Sequence, residues 1–387
     1  MKALEAGDPA QIGKYRLLGR LGSGGMGRVF LGQSPGGRLV AVKLIRPDLA
    51  ADIDFRVRFS REVKAARKVS GIFTAPVVDA DPDGPQPWLV TAYVPGPSLA
   101  DAVRAEGPLP VSSVLMLAAG LTEGISALHA AGVVHRDLKP SNVLLASDGP
   151  RIIDFGVSWA ADATPVTSAG MVIGSPGFMS PEQAGGYEVG PASDVFSLGS
   201  VLMFAATGEG PFGTGPGTVL LYRVQHLEPA IDRLPEQIRP LVEQCLAKNP
   251  RHRPTTDQIL AGLGSLPLAA DWPLASIGQV LQVQAEPAAA VARSSADAHT
   301  LTMSPLDRGA SPDVAVPPDH GPDSPGLSRY GRGRRLSRTW AVCALVVVAG
   351  LVLVLTLISH WPATAPPANR PLASSQVLGP SAVIKAF

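Results

Sequence analysis

Short apolar runs separated by turn residues dominate the first third of the chain. Three of these runs, at residues 15–19, 27–33 and 38–44, are rich in Val, Leu and aromatic residues and are bounded by Gly and Pro, which predicts β-strands. At residues 54–69 apolar side chains instead recur every three or four positions and so share one helical face. That face consists of Phe55, Phe59, Val63 and Ala66.

Helical spacing dominates the next part of the chain. A long helix is predicted at residues 111–131, and helical patterns continue to Leu263. The predicted strands come first along the chain and the predicted helices follow. This order is typical of an α+β domain built as two lobes, a small β-rich one and a larger helical one. The predicted folded domain covers residues 15–265.

The composition of the sequence changes after Ser265. Residues 266–339 carry scattered Pro, Ala, Ser and Asp with little periodicity. Such a composition buries too little apolar surface to offset chain entropy, so we expect a disordered linker. The linker ends in a cluster of basic residues: Arg329, Arg332, Arg334, Arg335 and Arg338.

An uncharged apolar stretch follows the linker at residues 341–358, flanked by Trp340 and Trp361. As a helix it would be about 27 Å long, close to the thickness of a hydrocarbon core. The pattern predicts a transmembrane helix at residues 340–360. Because the arginines cluster before the span, we expect the folded domain in the cytoplasm, a single-pass cell-membrane protein, and a short tail outside at residues 361–387.

Charge and cysteine content narrow the function classes. The net charge is +1, whereas nucleic-acid-binding chains usually carry a clear basic excess, so no nucleic-acid partner is expected. The two cysteines, Cys245 and Cys343, lie far apart, which excludes a disulfide framework and a cysteine-rich zinc module. Residues 1–10 are polar and lack the apolar run of a signal peptide.

A glycine-rich stretch at residues 22–29 follows the pattern G-x-G-x-x-G-x-V. Both flanks predict strands, whereas a dinucleotide-binding Rossmann loop opens into a helix. A glycine-rich hairpin lets backbone N–H groups approach phosphates without obstruction by side chains. On this pattern alone, nucleotide binding and an ordinary tight hairpin both remain open.

Two opposite charges lie in neighbouring predicted elements. Lys43 ends the strand run Val40-Ala41-Val42, and Glu62 lies in the following predicted helix. Taken separately, each is an ordinary exposed charge. If they pair, Glu62 would hold Lys43 extended towards a phosphate.

Residues 135–142 read His-Arg-Asp-Leu-Lys-Pro-Ser-Asn, and residues 154–156 read Asp-Phe-Gly. With these motifs, the chain resembles the eukaryotic-like (Hanks-type) serine/threonine protein kinases, in particular their membrane-anchored bacterial branch. The resemblance covers residues 15–263 and includes Ser180-Pro181-Glu182, Asp194 and Arg253. Ser180 and Ser175 stand where relatives usually have Ala and Thr. The resemblance implies the bilobal protein-kinase fold.

The resemblance also implies ATP as the phosphate donor and Mg²⁺ as the metal ion, with Mn²⁺ as an alternative. Asp137 would orient or accept the proton of the attacking hydroxyl, and Lys139 would steady the γ-phosphate. Asn142 and Asp154 would hold the metal ions through hard oxygen ligands.

ATP would lie between the glycine-rich loop and the segment that follows the sheet. The loop would cover the phosphates, Lys43 would contact them, and the segment from Thr91, the gatekeeper, to Val94 would read adenine through its backbone. The residues implied to bind ATP are Leu21, Gly22, Ser23, Gly24, Gly25, Met26, Gly27, Arg28, Val29, Ala41, Lys43, Glu62, Thr91, Tyr93, Val94 and Leu144.

Regulation is implied by Arg136, the residue before Asp137. In relatives this Arg pairs with a phosphorylated residue of the activation segment, and the new charge orders the loop. The expected sites of autophosphorylation are Thr164, Thr167 and Ser168, with Thr167 preferred.

Three further residues are expected to have structural roles. In the family, Glu182 and Arg253 form a buried ion pair that ties the activation segment to the helical lobe. Removing one partner of such a pair costs about 3–5 kcal/mol. Asp194 is expected to brace the backbone of the catalytic loop.

Three function classes follow. The first is a membrane-anchored kinase that phosphorylates Ser or Thr of cytoplasmic proteins, the second a nucleotide-binding pseudokinase scaffold, and the third a small-molecule kinase. The first is favoured because every catalytic residue is present. The sequence shows none of the extracellular wall-binding modules that many relatives carry, so we expect any signal to come through a partner, through membrane-driven dimerisation or from the cytoplasmic side. The small residues of the span would support such a dimer: Ala344, Ala349 and Gly350.

Overall fold

The structure, a computed structural model, describes residues 1–155, residues 175–264 and Trp272. Its first part is a six-stranded antiparallel sheet with the strand order β1-β2-β3-β4-β6-β5. The strands are β1 (Gln11–Ile12), β2 (Tyr15–Gly24), β3 (Gly27–Gln33), β4 (Leu39–Ile45), β5 (Val77–Asp81) and β6 (Trp88–Ala92).

The sheet and helix α2 (Ile53–Ala66) together form the small lobe, and the short α1 (Pro47–Ala50) precedes α2. Asp52 begins α2 by accepting the N–H groups of Asp54 and Phe55 on its side chain, which satisfies donors that a helix start leaves unpaired. The apolar face of α2 packs against the sheet. That buried cluster contains Ile45, Phe55, Phe59, Val63 and Leu89.

The described part of the large lobe is helical apart from one hairpin, β7 (Val143–Ala146) with β8 (Gly149–Ile152). Its helices are α3 (Leu99–Glu106), α4 (Val111–Ala130), α5 (Pro181–Ala184), α6 (Pro191–Thr207), α7 (Gly217–His226), α8 (Arg239–Cys245) and α9 (Thr256–Leu263). Helices α4 and α6 are apolar on most sides because they lie in the middle of the core, where Leu121, Ile125, Phe196 and Val201 are fully buried.

Helix α4 is also the one element of the described chain that is long and apolar enough to cross a bilayer. Most of it is buried inside the domain, and core helices of globular domains have the same length and composition. It therefore gives little support to a membrane span.

The α+β prediction and the two-lobed protein-kinase fold are confirmed, and each of the three predicted strands and two predicted helices is present. The first strand continues to Gly24, five residues beyond its predicted end, because it forms one arm of the glycine-rich hairpin. Apart from Trp272, the predicted linker lies outside the described residues, as do the predicted transmembrane helix and tail. So do Thr164, Thr167 and Ser168.

Two contacts extend the fold beyond the predicted boundaries of the domain. Lys2 and Arg20 exchange backbone hydrogen bonds of 2.9 and 2.8 Å, so the chain before β1 lies along β2. At the other end, the indole Nε1 of Trp272 donates to the carbonyl oxygen of Ala146 at 2.9 Å, and its ring packs against the large-lobe core.

Candidate active site

The glycine-rich loop is the turn of the β2–β3 hairpin, in which Gly24 pairs with Gly27. A Cβ atom at Gly27 would overlap the backbone carbonyl oxygen of Leu44 on β4, so only glycine fits there. Cβ atoms at Gly22, Gly24 or Gly25 would instead meet nothing within 4 Å. The tip of the hairpin is therefore open, as a loop that receives phosphates on its backbone requires.

Beneath the hairpin, the residues expected to enclose adenine lie on adjoining strands. Val29 pairs with Lys43 across β3 and β4, and Ala41 pairs with Thr91 across β4 and β6. Leu144 lies on β7, bridged to Ser98 of the segment after β6. The members of this set are half-buried: Val29, Ala41, Thr91, Tyr93, Val94 and Leu144. Strand residues next to several of them are buried, namely Phe30, Val40, Val42, Val90 and Val143.

Such a partly exposed apolar lining is what a flat apolar ring would cover. Burial also raises the pKa of the Tyr93 phenol in this segment.

Lys43 lies on the central strand β4, and its side chain is 11% exposed. Its ammonium group contacts Asp154 Oδ2 at 3.2 Å. No ion pair joins Lys43 to Glu62 within the described ranges, so the pairing expected from the sequence is not formed in this conformation. Lys43 is held instead by the carboxylate that is expected to bind the metal.

Glu62 faces Arg136, with 3.9 Å between Oε1 and Nη1. Neither carboxylate oxygen accepts a hydrogen bond in the described structure. Burial raises the pKa of Glu62 to about 8, although the positive charges of Arg136 and Arg58 act in the opposite direction. The pKa is raised rather than lowered because the distance to Arg136 is long. Attraction at 3.9 Å without a hydrogen bond does not replace the hydration that the carboxylate loses on burial.

The catalytic loop brings three predicted residues into one network. Asp137 Oδ2 accepts hydrogen bonds from Lys139 Nζ at 2.7 Å and from Asn142 Nδ2 at 3.2 Å. Asn142 Nδ2 also donates to the backbone oxygen of Asp137 at 2.8 Å. The carboxylate is thereby fixed in orientation by two donors on the same short loop.

Asn142 and Asp154 fit the role of magnesium ligands. Because Nδ2 of Asn142 is used by Asp137, the amide oxygen is the atom left for a cation. An amide oxygen and a carboxylate are the hard donors that Mg²⁺ prefers. No group of three or more His, Cys, Asp or Glu residues that could hold a metal ion lies in the described chain.

Asp194 lies on α6, is completely buried, and holds the backbone of the catalytic loop. Its Oδ2 accepts the N–H of His135 and its Oδ1 the N–H of Arg136, both at 2.9 Å. His129 Nε2 lies 2.8 Å from Oδ2. Arg136 has φ of 65°, a strained conformation that persists only where the surroundings enforce it. The two bonds to Asp194 provide that constraint, as the sequence predicted.

The expected ion pair between Glu182 and Arg253 is present and buried. The guanidinium binds the carboxylate in bidentate fashion at 2.6 and 2.8 Å, and the hydroxyl of Ser193 also donates to it. Burial alone would raise the pKa of Glu182, but the hydrogen bonds from Arg253 and Ser193 outweigh burial and lower it. Carbonyl oxygens of the chain accept the remaining guanidinium donors: Ala192, Ala247 and Lys248.

Sequence reasoning missed one residue next to the site. Asp8 binds Arg20 and Arg28, which lie on the two strands of the glycine-rich hairpin. A lone acidic residue in a polar segment carries no local signal of such a role, because both partners are distant along the chain.

Comparisons with known proteins agree with this geometry. The family model described as "Protein kinase domain" matches residues 15–262. The probable serine/threonine-protein kinase PkwA of Thermomonospora curvata is 54% identical over 273 residues, covering 70% of this chain and 37% of PkwA. The serine/threonine-protein kinase AfsK of Streptomyces coelicolor is 51% identical over 257 residues, covering 66% of this chain and 32% of AfsK.

Among solved structures, the PknI kinase domain of Mycobacterium tuberculosis superposes with a TM-score of 0.51 at 25% identity, covering 68% of this chain and 98% of that one. The chain spans about a third of the length of the curated relatives PkwA and AfsK. The family match covers more than half of the chain and coincides with the two lobes and the catalytic loop described above. The chain belongs to the protein kinase family.

Proposed function

We propose that the chain is an ATP-dependent kinase that transfers the γ-phosphate to Ser or Thr hydroxyl groups of proteins. The observation that carries the proposal is the catalytic-loop network. Asp137 is oriented by Lys139 and Asn142, and the loop itself is braced by the buried Asp194. A fixed carboxylate beside a fixed ammonium group is what transfer of a phosphoryl group to a neutral hydroxyl requires.

Each side chain has a separate task in this reaction. Asp137 orients the incoming hydroxyl and takes its proton, while Lys139 donates to the oxygens of the phosphoryl group. Lys43 contacts the other phosphates once it leaves Asp154. Asn142 and Asp154 would hold Mg²⁺, which would supply positive charge to offset that of the phosphates. The protein thus contributes position and charge to a loose transition state, rather than covalent chemistry.

Lys139 supports Ser and Thr as the acceptors, because tyrosine kinases usually carry a different sequence at this position. The bidentate pair of Glu182 with Arg253 supports protein rather than small-molecule substrates, because it anchors the segment on which a peptide would dock.

The proposal is tested by incubating the purified full-length chain with γ-labelled ATP, Mg²⁺ and a generic protein substrate, followed by phosphoamino-acid analysis. We expect phosphoserine and phosphothreonine, and Asp137→Asn should lower the rate at least about 100-fold. Asp101→Asn, which removes an exposed carboxylate paired with Arg104, is the matched control. Nucleotide binding without transfer would support the pseudokinase instead, and consumption of ATP with only a small molecule labelled would support the third class.

Autophosphorylation within the chain is part of the proposal, at Thr164, Thr167 or Ser168. A phosphate on that segment would offer Arg136 a dianionic partner in place of Glu62. Glu62 would then be released to pair with Lys43. Replacing all three hydroxyl residues by Ala should abolish the rise in activity that follows preincubation with ATP, whereas an undiminished rise would exclude them.

A single membrane helix at residues 340–360, with the kinase domain in the cytoplasm, is the proposed localisation. The uncharged stretch, its two flanking tryptophans and the preceding arginines support it. The full-length chain should sediment with membranes and require detergent for release, while deletion of residues 340–360 should make it soluble. Cross-linking of the membrane-bound chain tests for the homodimer, and recovery of monomers alone would exclude it.

A further inference from the structure

The glycine-rich hairpin has an open tip and an exposed outer edge. A Cβ atom at Gly22, Gly24 or Gly25 would meet nothing within 4 Å, and Arg46, after β4, donates hydrogen bonds to the carbonyl oxygens of Gly25 at 3.3 Å and Met26 at 2.9 Å. The tip is thus held from the β4 side, and its position also depends on how the β2 side is held. On the β3 side, β4 pairs along the whole strand, from Gly27 to Gln33. On the β2 side, β1 pairs only with Tyr15 and Arg16, which leaves the part of β2 that leads into the loop without a neighbouring strand.

The segment of residues 1–10 covers this edge. Lys2 and Arg20 exchange two backbone hydrogen bonds, so the segment adds one antiparallel bridge where β1 has ended. The contact is close, because a Cβ atom at Gly19 would lie 2.8 Å from the backbone oxygen of Lys2. Leu4 packs against the apolar cluster of the small lobe that contains Ile12 and Tyr15.

Asp8 then ties the two arms of the hairpin together. Its Oδ2 and Oδ1 accept from Nε and Nη2 of Arg20, each at 2.6 Å, and Oδ1 also accepts from Nη1 of Arg28 at 2.8 Å. Arg20 lies on β2, before the loop, and Arg28 lies on β3, directly after it. A backbone N–H donated by Glu5 at 2.8 Å completes the surroundings of the carboxylate.

This carboxylate is embedded rather than solvated. The Asp8 side chain is 0% exposed, against 18% for Arg20 and 44% for Arg28. The hydrogen bonds from Arg20 come first among the causes that hold the pKa of Asp8 well below its usual range. Charge-assisted bonds to a fixed carboxylate are stronger and more directional than neutral ones.

We propose that Asp8 is a positioning residue for ATP binding. Through Arg20 and Arg28, it holds the glycine-rich hairpin in the position in which the backbone of the loop contacts the phosphates. This inference rests on the proposed kinase function. The ligand is the triphosphate of a nucleotide, and Asp8 itself does not touch it. Without Asp8 the two arms of the hairpin separate more freely. Part of the free energy of ATP binding is then used to order the hairpin, so ATP binds less tightly.

The test compares wild type, Asp8→Asn and Arg20→Gln, which removes the guanidinium that binds both carboxylate oxygens of Asp8, in the full-length chain purified in detergent. Glu209→Gln serves as the matched control, because it removes an exposed carboxylate that pairs with Arg233 at 2.7 Å in the large lobe. We expect Asp8→Asn and Arg20→Gln each to raise KM for ATP about fivefold or more, with kcat at saturating ATP within about twofold of wild type. The double variant should be no worse than the poorer single one, since both changes break one connection.

Hydrogen exchange provides a readout independent of phosphoryl transfer. In Asp8→Asn, backbone amides of residues 20–28 should exchange at least about threefold faster than in wild type, while those of α4 stay unchanged. If KM and hairpin exchange both match wild type, or if kcat falls with KM unchanged, the inference is overturned. If wild type transfers no phosphate but the exchange difference is present, the proposed function fails while the positioning role stands. If Asp8→Asn does not fold, Arg20→Gln alone decides in the same way.

Discussion

Glu62 and Arg136 face each other at 3.9 Å, while Lys43, the partner expected for Glu62, contacts Asp154 at 3.2 Å. The carboxyl of Glu62 is buried without a hydrogen bond in the described structure, and its pKa is raised to about 8. Phosphoryl transfer in the family needs the Lys–Glu pair. The catalytic loop is therefore ordered by hydrogen bonds, while the pair of Lys43 and Glu62 expected from the family is not formed.

The raised pKa of Glu62 makes the stability of this conformation depend on pH. A carboxyl whose pKa is about 8 in the folded chain and 4.5 in the unfolded chain takes up a proton on folding. Its stabilising contribution is therefore full below pH 4.5 and is lost as pH rises towards 8. We expect wild type to lose about 2–4 kcal/mol relative to Glu62→Gln between pH 5 and pH 8.5.

Thermal unfolding of both proteins across that range measures the difference. Glu209→Gln should show no such trend, because its carboxylate is exposed. Parallel pH profiles for wild type and Glu62→Gln would mean that Glu62 is ionised in the folded chain at neutral pH.

Asp194 is expected to matter for both stability and turnover. Replacing Asp194 by Asn keeps the size of the side chain but removes the charge that receives the backbone N–H groups of His135 and Arg136. Loss of a buried charged acceptor should cost about 2–3 kcal/mol. Since the catalytic loop would no longer be fixed, kcat should fall while KM for ATP changes little. A variant with reduced melting temperature and unaltered kcat would assign Asp194 a structural role alone.

Much of the site could be predicted because its residues are close together in the chain. Asp137, Lys139 and Asn142 lie within six positions, so local sequence determines that they meet, and the structure joins them by hydrogen bonds. Glu182 and Arg253 are distant along the chain, and only the family resemblance placed them together.

The parts that could not be predicted depend on how elements pack. Whether Glu62 meets Lys43 or Arg136 is decided by the placement of α2 against the sheet, which spacing along the helix does not specify. Asp8 is a similar case, because its two arginine partners are recognisable only once β2 and β3 are paired. Periodicity identifies elements and their buried faces, whereas ion pairs between elements require the assembled fold.

The buried ion pair of Glu182 and Arg253 should behave as a unit. Arg253→Met leaves the carboxylate of Glu182 buried beside Ser193 without its guanidinium, and we expect a loss of about 3–5 kcal/mol. Replacing both partners, with Glu182→Leu added, removes the unpaired charge and should recover part of that loss. Denaturant unfolding of wild type, of the single variants Arg253→Met and Glu182→Leu, and of the double variant measures the coupling. Additive losses in the double variant would mean that the two residues stabilise the fold independently.

Gly27 and Gly25 are two residues apart in the glycine-rich loop, but they should respond differently to substitution by Ala. At Gly27 the added methyl group meets the backbone oxygen of Leu44, so β3 and β4 must separate, which we expect to cost about 1–3 kcal/mol of stability. At Gly25 the methyl group points into open space, and stability should stay within about 0.5 kcal/mol of wild type. Thermal unfolding without nucleotide compares the two. An equal effect at both positions would show that backbone entropy, rather than the contact with Leu44, determines the need for glycine, since that entropy is common to the two sites.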